Sequence, residues 1–349
     1  MANRIIVIHR AYIVNCCDMH QVLLTFVVPC FNVQKYVQSC LDSIYACGLP
    51  QEYFEVVCVN DCSTDGTGGI LDTNRKRHNN LRVINHEINK GLGEGRNTGI
   101  SEAKGRYIWF VDSDDEVVNN GIPSALDMAV TENLDVLCFN YRRIDEAGNV
   151  ISDHEVFKKI SVTDGGSFSK RFFPGGIVNN MGYVWRFLYR TDFLRSNLLL
   201  FPNYYWEDTV FMPKSVLLAE RVASAPYILY SYRANSDSIS GTFGKDYPAK
   251  LIYDFSFCTG SDLLRFSEGV EDEELRAAFH KVAVKKYLNG FVILLLRTNK
   301  KERKCFYNMV KENKHDLKPF IRHLAPFNRV LLTTPVLVDC CSMLYKATH

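Results

Sequence analysis

The chain has 349 residues, of which 47% are hydrophobic and 23% are charged, and its formal net charge is +2. A chain of this kind buries a large core and has the length of two domains, or of one domain with an appendage. The near-neutral charge argues against nucleic acid as the main partner. Twelve cysteines without a C-x-x-C pair or a zinc-type Cys/His array favour reduced thiols in a cytoplasmic protein.

The first 21 residues do not resemble a targeting sequence. Arg4, His9 and Arg10 interrupt a mixed apolar stretch that lacks a small-residue cleavage site, so we do not expect a signal peptide. Met19 is an alternative start, and we predict an N-terminal extension over 1–21. No apolar run reaches the roughly 18 residues that a membrane-spanning helix needs.

Strands and helices alternate in the first third of the chain. Apolar, β-branched runs predict five strands, and segments of helical period separate most of them. The predicted strands are Val22–Val28, Val56–Val59, Arg82–Asn85, Tyr107–Val111 and Val136–Asn140, and the predicted helices are Lys35–Tyr45, Thr67–Arg77 and Gly91–Ala103. The alternation predicts an α/β fold with a mainly parallel sheet and ligands at the carboxyl ends of its strands.

Three of these predicted strands end in polar residues. They are followed by Pro29-Cys30-Phe31-Asn32, by Asn60-Asp61 and by Asp112-Ser113-Asp114-Asp115, respectively. Neighbouring strands would bring these residues into one cleft, as in a nucleotide site. Oxygen ligands in the third group suit a hard divalent ion such as Mg²⁺ or Mn²⁺. An acidic turn that caps the next helix is the alternative, and it is the role we expect for Asp115.

Two other motifs fit less well. The sequence DCSTDG at 61–66, with Asp72 at the twelfth position, nearly matches a calcium-binding EF-hand loop, but a β-like run precedes it instead of a helix. The glycines of 91–95 do not fit the G-x-G-x-x-G register of a dinucleotide-binding loop, which argues against a dehydrogenase.

Four separate motifs resemble those of the family 2 glycosyltransferases. They are VVPCFN at 27–32, EVVCVNDCSTDGT at 55–67, NKGLGEGRNTGISEAKGRYIWFVDSDD at 89–115 and WED at 206–208. The resemblance covers about residues 22–240 and implies an inverting enzyme with a GT-A type, Rossmann-like α/β fold. Residues 22–115 would form its nucleotide-binding half and 116–240 its acceptor half, followed by a helical C-terminal region over 241–349.

The resemblance implies which residues would contact the base and ribose of a nucleotide-sugar donor. By their positions in the motifs, Pro29, Phe31 and Asn32 would line the base and ribose, and Asp61 would hydrogen-bond the pyrimidine. Asn60 stands where many relatives have an aspartate, and this departure affects the base contact and leaves the metal site unchanged.

Further motif residues would act on the diphosphate. Arg96 and Asn97 match the family's RN pair, which faces the diphosphate and supports the sheet. Asp112 would contact the ribose or donor sugar, and Asp114, with Asp112, would bind Mn²⁺ or Mg²⁺ between the phosphates. Arg233 would reach the diphosphate and assist departure of the leaving group, although an arginine after a strand is usually just solvated.

Transfer to a sugar hydroxyl needs a base, because the hydroxyl is a poor nucleophile at neutral pH. Glu207 and Asp208 follow an aromatic cluster and begin a segment of helical period, so a capping role for Asp208 competes. The family's ED pair supplies the base, which implies Asp208 as base and Glu207 as its orienter or as an acceptor ligand. Trp206 and Tyr205 would stack on an acceptor sugar, unless they belong to the core.

The C-terminal third is helical by its pattern. The spacing of four apolar residues predicts a buried helix face formed by Val284, Leu288, Phe291 and Leu295. Residues 297–329 hold ten Lys/Arg against three Asp/Glu, and the apolar segment 330–338 follows. Together they favour peripheral contact with an anionic membrane, whereas a solvated helix and a packed tail are the alternative.

These observations lead to one hypothesis with two alternatives. The chain is predicted to move a hexose or N-acetylhexosamine from a nucleotide sugar, UDP-linked, to a hydroxyl of a glycan or lipid-linked oligosaccharide during assembly of bacterial surface polysaccharide. A nucleotidyltransferase would share the metal carboxylates without needing Asp208. A non-catalytic nucleotide-sugar-binding protein on the same fold is the second alternative, to which Asn60 points.

Overall fold

The computed structural model describes residues 22–172, 183–235 and 248–312, which divide into two compact units. Of these residues, the sheet unit comprises 22–169, 183–203 and 211–235, and the helical unit comprises 170–172, 204–210 and 248–312. The predicted N-terminal extension and the apolar segment 330–338 lie outside the described residues.

The sheet unit contains ten strands in one sheet. They are β1 (Leu24–Cys30), β2 (Phe54–Asn60), β3 (Leu81–Asn85), β4 (Tyr107–Phe110), β5 (Glu116–Val117), β6 (Val136–Ile144), β7 (Val150–His154), β8 (Ser161–Thr163), β9 (Phe187–Arg190) and β10 (Val222–Arg233). Their order is β3-β2-β1-β4-β9-β6-β10-β5, with β7 beside β6 and β8 beside β10. All five predicted strands are present, and β6 continues four residues beyond the predicted end.

The first four strands are parallel. β1 pairs with β2 and β4, and β2 pairs with β3, so their carboxyl ends lie at one edge of the sheet. Every residue of β1 is buried, as expected for a strand inside a parallel sheet covered on both faces. Beyond β4 the sheet is mixed, because β9 runs antiparallel to β4 and β6 whereas β10 runs parallel to β6.

Helices connect these strands and cover the sheet. They are α1 (Val37–Tyr45), α2 (Thr67–Arg77), α3 (Leu92–Glu102), α4 (Ile122–Thr131), α5 (Gly165–Phe172), α6 (Thr191–Ser196) and α7 (Asp208–Leu218). α3 approaches β1 closely, since a Cβ on Gly99 would lie 2.1 Å from Cγ1 of Val27. Gly91, at the start of α3, has a φ of +90°, which glycine adopts without strain. These glycines permit the turn into α3 and its close packing on β1.

An aromatic cluster fills the centre of the sheet unit. The Trp109 ring lies 5.5 Å from Phe26 and 5.1 Å from Phe139, and the ring of Trp185 stacks on Tyr230 at 4.3 Å. Truncating a buried aromatic residue typically costs about 3–5 kcal/mol. The packing also fixes the Tyr230 hydroxyl beneath the carboxyl end of β4.

The helical unit contains α8 (Ala249–Tyr253), a π-helical turn (Asp254–Cys258), α9 (Thr259–Glu268), α10 (Glu273–Arg297) and α11 (Lys300–Glu312). The Asp272 carboxylate caps α10 by accepting the N–H of Leu275 at 3.0 Å. Within the described residues, no helix has the length and apolarity to cross a membrane.

The predicted buried face of α10 is wrong at Leu288. Val284 is half-buried and Leu288 is 39% exposed, while the side chains of Phe291 and Leu295 lie outside the description. The described buried residues of this stretch are Val282, Ala283, Lys286, Tyr287, Gly290 and Leu294. The prediction counted apolar side chains only, and the true face includes a lysine and a glycine.

Candidate active site

Asp61 fixes the loop between β3 and α3. The residue is 4% exposed; Oδ1 accepts the N–H of Lys90 and Oδ2 that of Gly91, each at 2.8 Å. Oδ1 also lies 2.7 Å from Nδ1 of His86, whose Nε2 lies 2.9 Å from the Thr98 hydroxyl. Both carboxylate oxygens therefore have bonds within the protein, and the predicted contact with a pyrimidine stays a prediction.

The loops after β1 and β2 hold each other. Asn32 has a φ of +53°, and its Oδ1 accepts the N–H of Thr64 at 2.8 Å. The Asp65 carboxylate accepts the N–H groups of Gln34 and Thr67, which ties one loop to the other. These bonds make Asp65 a loop-fixing residue, in keeping with the rejection of an EF-hand.

Three other predicted base-side residues lie around these loops. Pro29 is buried within β1, and Phe31 is 47% exposed at its end. Asn60 donates from Nδ2 to Oδ1 of Asn85 at 2.8 Å and accepts the N–H of Ser63 at 3.2 Å. An exposed aromatic ring beside ordered loops can take a planar ligand.

Arg96 and Asn97 are neighbours on α3 with different contacts. The Arg96 side chain is 2% exposed and donates from Nη2 to Oδ1 of Asp112 at 2.7 Å. The Asn97 amide accepts the N–H of Phe201 at 2.8 Å and donates to its carbonyl at 2.9 Å. In this structure Asn97 fixes the chain at 201, and its predicted contact with a diphosphate stays a prediction.

Asp115 connects β10 to the end of β4. It is 1% exposed; Oδ2 accepts the Tyr230 hydroxyl at 2.8 Å, and Oδ1 accepts the N–H of Arg233 at 2.7 Å. The expected helix cap is wrong, because a strand, β5, follows Asp115. Burial, followed by the charges of Asp114 and Asp112, raises the pKa of Asp115 well above its usual value.

Asp112 and Asp114 are only partly buried. Oδ2 of Asp114 accepts a bond from the Asn235 amide at 3.1 Å, and the Asp112 N–H donates to the Tyr230 hydroxyl at 3.1 Å. Burial and then the charge of Asp112 raise the pKa of Asp114. The two negatively charged carboxylates repel each other, and their ligand atoms are all oxygen. Such a pair fits a hard divalent cation.

The described residues contain no group of three or more His, Cys, Asp or Glu side chains placed to hold a metal. Most of the coordination sphere of a cation at Asp112 and Asp114 would then come from ligand and water oxygens, as is usual for Mg²⁺.

Arg233 has a contact for each nitrogen of its guanidinium. The side chain is 4% exposed; Nε donates to the Asp114 carbonyl, Nη1 to the carbonyls of Asp145 and Glu146, and Nη2 pairs with Glu116. The guanidinium thus ties the end of β10 to the acidic segment and to the β6–β7 turn. Its predicted contact with a diphosphate remains a prediction.

Glu207 and Asp208 belong to the helical unit. Glu207 is buried, with its carbonyl accepting the N–H of Val210 at 3.2 Å, and Asp208 is half-buried as the first residue of α7. Trp206 has a φ of +65°, rare for a bulky residue, and its carbonyl accepts the N–H of Thr209 at 3.1 Å. This turn presents Asp208 at a helix N-terminus, where a negative charge is stabilised.

Of the two aromatic residues directly before Glu207, one is exposed to solvent and the other packs against a neighbouring ring. The Tyr205 side chain is 39% exposed, and its N–H donates to Asp254 at 3.1 Å. Trp206 packs edge-on against Phe255, with ring centroids 5.3 Å apart. Tyr205 is therefore the more accessible ring for an acceptor sugar, and Trp206 has a packing role.

Sequence reasoning missed four side chains that organise these sites: His86, Tyr230, Asn235 and Lys286. His86 and Lys286 belong to segments without a recognisable motif, and Tyr230 and Asn235 lie on either side of the predicted Arg233 without having been assigned a role. Local patterns gave no signal for Tyr230, because the carboxylate that its hydroxyl contacts, Asp115, lies 115 residues earlier in the chain.

Comparison with known proteins assigns the chain to a family. The model of Glycosyl transferase family 2 matches residues 25–196. The glycosyltransferase GlyG of Streptococcus pneumoniae serotype 4 is 31% identical over 237 residues, which cover 63% of this chain and 73% of GlyG. Uncharacterized glycosyltransferase EpsJ of Bacillus subtilis strain 168 is 33% identical over 62% of this chain and 63% of EpsJ. The chain spans less than two thirds of the length of EpsJ.

A solved structure shows the fold. The crystal structure of Staphylococcus aureus TarS 1–349 in complex with UDP-GlcNAc is similar with a TM-score of 0.64 at 23% identity, covering 94% of this chain and 93% of that chain. The predicted GT-A fold is confirmed by this likeness. The chain belongs to glycosyl transferase family 2.

Proposed function

We propose that the chain is an inverting glycosyltransferase that moves a sugar from a UDP-linked donor to a hydroxyl of a glycan or lipid-linked glycan. The observation that carries the proposal is the pair Asp112 and Asp114, held at the carboxyl ends of parallel strands in a family 2 chain. A related GT-A structure contains UDP-GlcNAc, which supports a UDP-sugar donor. The relatives are glycosyltransferases, so neither a nucleotidyltransferase nor a non-catalytic binding protein is favoured.

The donor would bind at the carboxyl edge of β1, β2 and β4. Phe31 offers an exposed ring for the base or ribose, beside the loop that Asn32 holds. Asp61 would act mainly by holding the 86–91 loop in place, because both its oxygens already accept backbone N–H groups. Arg96 would act through Asp112, whose carboxylate it orients.

A divalent cation, Mn²⁺ or Mg²⁺, would be held by Asp114 together with Asp112. When bound, such a cation neutralises the charge that develops on the nucleoside diphosphate leaving group without any proton transfer. The partial burial of the two carboxylates strengthens their interaction with a cation relative to water.

Asp208 would be the base. As the acceptor oxygen attacks the anomeric carbon, the bond from that carbon to the phosphate oxygen breaks, and the hydroxyl proton passes to the Asp208 carboxylate. One displacement of this kind inverts the anomeric configuration, and a positioned base contributes typically about 10²–10⁴ in rate. Buried Glu207 would orient the turn or bind the acceptor, and exposed Tyr205 would stack on it.

Assembly of a bacterial surface polysaccharide, on the inner face of the membrane, is the setting we propose for this reaction. Lipid-linked acceptors are held at a membrane, and the excess of basic residues over 297–329 would favour an anionic surface. Flotation of the full chain with anionic liposomes tests this part, and failure to float would contradict it.

The catalytic proposal is tested with a panel of UDP- and GDP-sugars in the presence of Mn²⁺, with acceptor-dependent release of diphosphate as the measurement. Asp208→Asn should lower kcat by about 10²–10⁴. Asp192→Asn is the matched control, since Asp192 is an exposed acid in the first turn of α6. Equal losses of kcat in the two variants would show that Asp208 acts through its charge at a helix N-terminus and is not the base.

A further inference from the structure

Lys286 is a buried cation in the middle of α10. The residue is only 5% exposed, and its Nζ lies 4.0 Å from the centroid of the Phe255 ring. Burying a lysine ammonium away from water costs free energy unless an opposite charge or the face of an aromatic ring stabilises it. None of the roles proposed above uses this ammonium.

The position of Lys286 is set by close packing of α10 on the segment that begins at Asp254. A Cβ on Gly290, one turn after Lys286, would lie 2.2 Å from Cβ of Ser256, and one on Gly260 would lie 2.8 Å from the Tyr287 ring. Backbones that approach this closely leave little freedom for the side chains between them. The ammonium is therefore held over Phe255 by the helix itself.

Phe255 connects this ammonium to the turn that carries the proposed base. Its ring packs edge-on against Trp206 at 5.3 Å, and Trp206 lies two residues before Asp208. The left-handed backbone of Trp206 and the bond from the Thr209 N–H to its carbonyl fix that turn. Lys286, Phe255 and Trp206 thus form one packed series that ends beside Asp208, within the helical unit.

Other charged groups on the packed elements have partners of their own. Asp254 pairs with Lys250 and accepts the Tyr205 N–H, and Asp262 accepts the Tyr204 hydroxyl and pairs with Arg265. Cys258 is neutral at physiological pH, since burial and Asp254 raise the pKa of its thiol to about 12, and Glu207 is the remaining acid of the turn. Lys285 and Lys281, on α10 itself, are exposed.

The charge of Asp208 acts on the Lys286 ammonium. Burial lowers the pKa of Lys286 from its usual 10.5 to about 8, and the charge of Asp208 opposes this lowering. Ammonium and carboxylate therefore stabilise each other's charged forms, and near neutral pH Lys286 carries a proton.

We propose that Lys286 is a positioning residue for Asp208, with its buried ammonium serving as the counter-charge that orients the carboxylate toward the acceptor hydroxyl. The inference rests on the proposed role of Asp208 as base. Lys286 itself transfers no proton. It restrains the carboxylate and keeps it in the charged form that accepts one, and α10 thereby becomes part of the catalytic machinery.

The kinetic test compares Lys286→Met, Lys286→Arg and Lys285→Met, the last being the same change at the exposed neighbouring lysine. Lys286→Met should lower kcat about tenfold or more with an unchanged KM for the donor, and the acid limb of the pH profile should move to higher pH, because a positive charge beside the base is lost. Lys286→Arg should restore the position of the acid limb, and Lys285→Met should match the unsubstituted protein. A lower melting temperature with unchanged kcat and pH profile would reduce Lys286 to a packing residue and overturn the proposal.

A second measurement does not need catalysis. In protein labelled with ¹³C at lysine Cε, the resonance missing from Lys286→Arg reports Lys286, and its titration midpoint should lie near pH 8 and fall in Asp208→Asn. Equal midpoints with Asp and Asn at 208 would show that the two groups do not interact and would overturn the proposal. If no donor is turned over while the midpoints differ, the proposed function fails and the ion pair stands.

Discussion

Asp61 and Asp115 of the sheet unit differ from Asp254 and Asp208 of the helical unit in the kinds of group that hold them. In the sheet unit, Asp61 and Asp115 accept backbone N–H groups, and the atoms that hold them are placed by strand pairing and by the loop before α3. In the helical unit, Asp254 accepts the N–H of Tyr205 and pairs with Lys250 on its own helical segment, and Lys286 of α10 is the group that we propose for Asp208. The fold alone places a backbone N–H donor, whereas a side-chain donor also requires a particular residue at its position.

Recognisable motifs occur in both units, since the acidic segment 112–115 belongs to the sheet unit and WED at 206–208 to the helical unit. A carboxylate held by backbone N–H groups does not depend on which side chains the donor residues carry, even where a donor lies far along the chain, as Arg233 does from Asp115. A carboxylate held by a distant lysine depends on two segments far apart in the chain. The predictions below test whether the two kinds of support respond differently to substitution and pH.

The largest effect is expected for Asp115→Ala. The change removes the acceptor of the Tyr230 hydroxyl and of the Arg233 N–H, and each buried group left unsatisfied costs about 1–3 kcal/mol, so with the cavity we expect a loss near 4 kcal/mol. Urea unfolding measures the free energy. Asp114→Ala, one residue earlier, should lose less than about 1 kcal/mol, yet it should abolish Mn²⁺-dependent affinity for UDP. Equal losses of stability would contradict the distinction between the two aspartates.

The sequence predicts features that depend on neighbouring residues better than features that depend on distant partners. The parallel strands and the acidic segment after β4 were predicted because continuous apolar runs and the polar residues after them are local. The role of Asp115 was not, because its partner Tyr230 lies 115 residues later in the chain. The buried face of α10 was misplaced because the pattern counted apolar side chains, and a lysine held over an aromatic ring occupies that face. Tertiary partners decide such positions, and local periodicity does not report them.

The second effect is a pH dependence of stability caused by Lys286. Its folded pKa of about 8 is below the usual 10.5, so between these values the unfolded chain binds more protons and stability rises with pH. The full difference corresponds to roughly 3 kcal/mol. Relative to Lys286→Met, the unsubstituted protein should gain about 2–3 kcal/mol between pH 7 and pH 10, measured by urea unfolding at each pH. A constant difference across that range would contradict a buried, protonated Lys286.

A smaller loss is expected for Asp61→Asn. The amide keeps one acceptor oxygen and turns an NH₂ group toward a backbone N–H, so either Lys90 or Gly91 loses its partner at a cost of about 2 kcal/mol. Hydrogen exchange should show the change first in the loop of 86–91. Asp153→Asn, a substitution at a half-exposed strand position, is the control and should leave this loop protected. If the exchange of the loop is unaltered in Asp61→Asn, the carboxylate does not hold it.

The smallest effect is expected for Phe31→Ala, and it should appear in binding alone. The ring is 47% exposed, so its loss should change the free energy of unfolding by less than about 0.5 kcal/mol. Removing a ring that stacks on the base or ribose typically weakens binding by about 1 kcal/mol or somewhat more, which corresponds to a five- to tenfold higher Kd for UDP by calorimetry. Leu198→Ala removes another exposed apolar side chain, 83% exposed, and should leave the Kd unchanged. An unchanged Kd in Phe31→Ala would show that the exposed ring does not contact the donor. The loops after β1 and β2 would then bind the nucleotide without it.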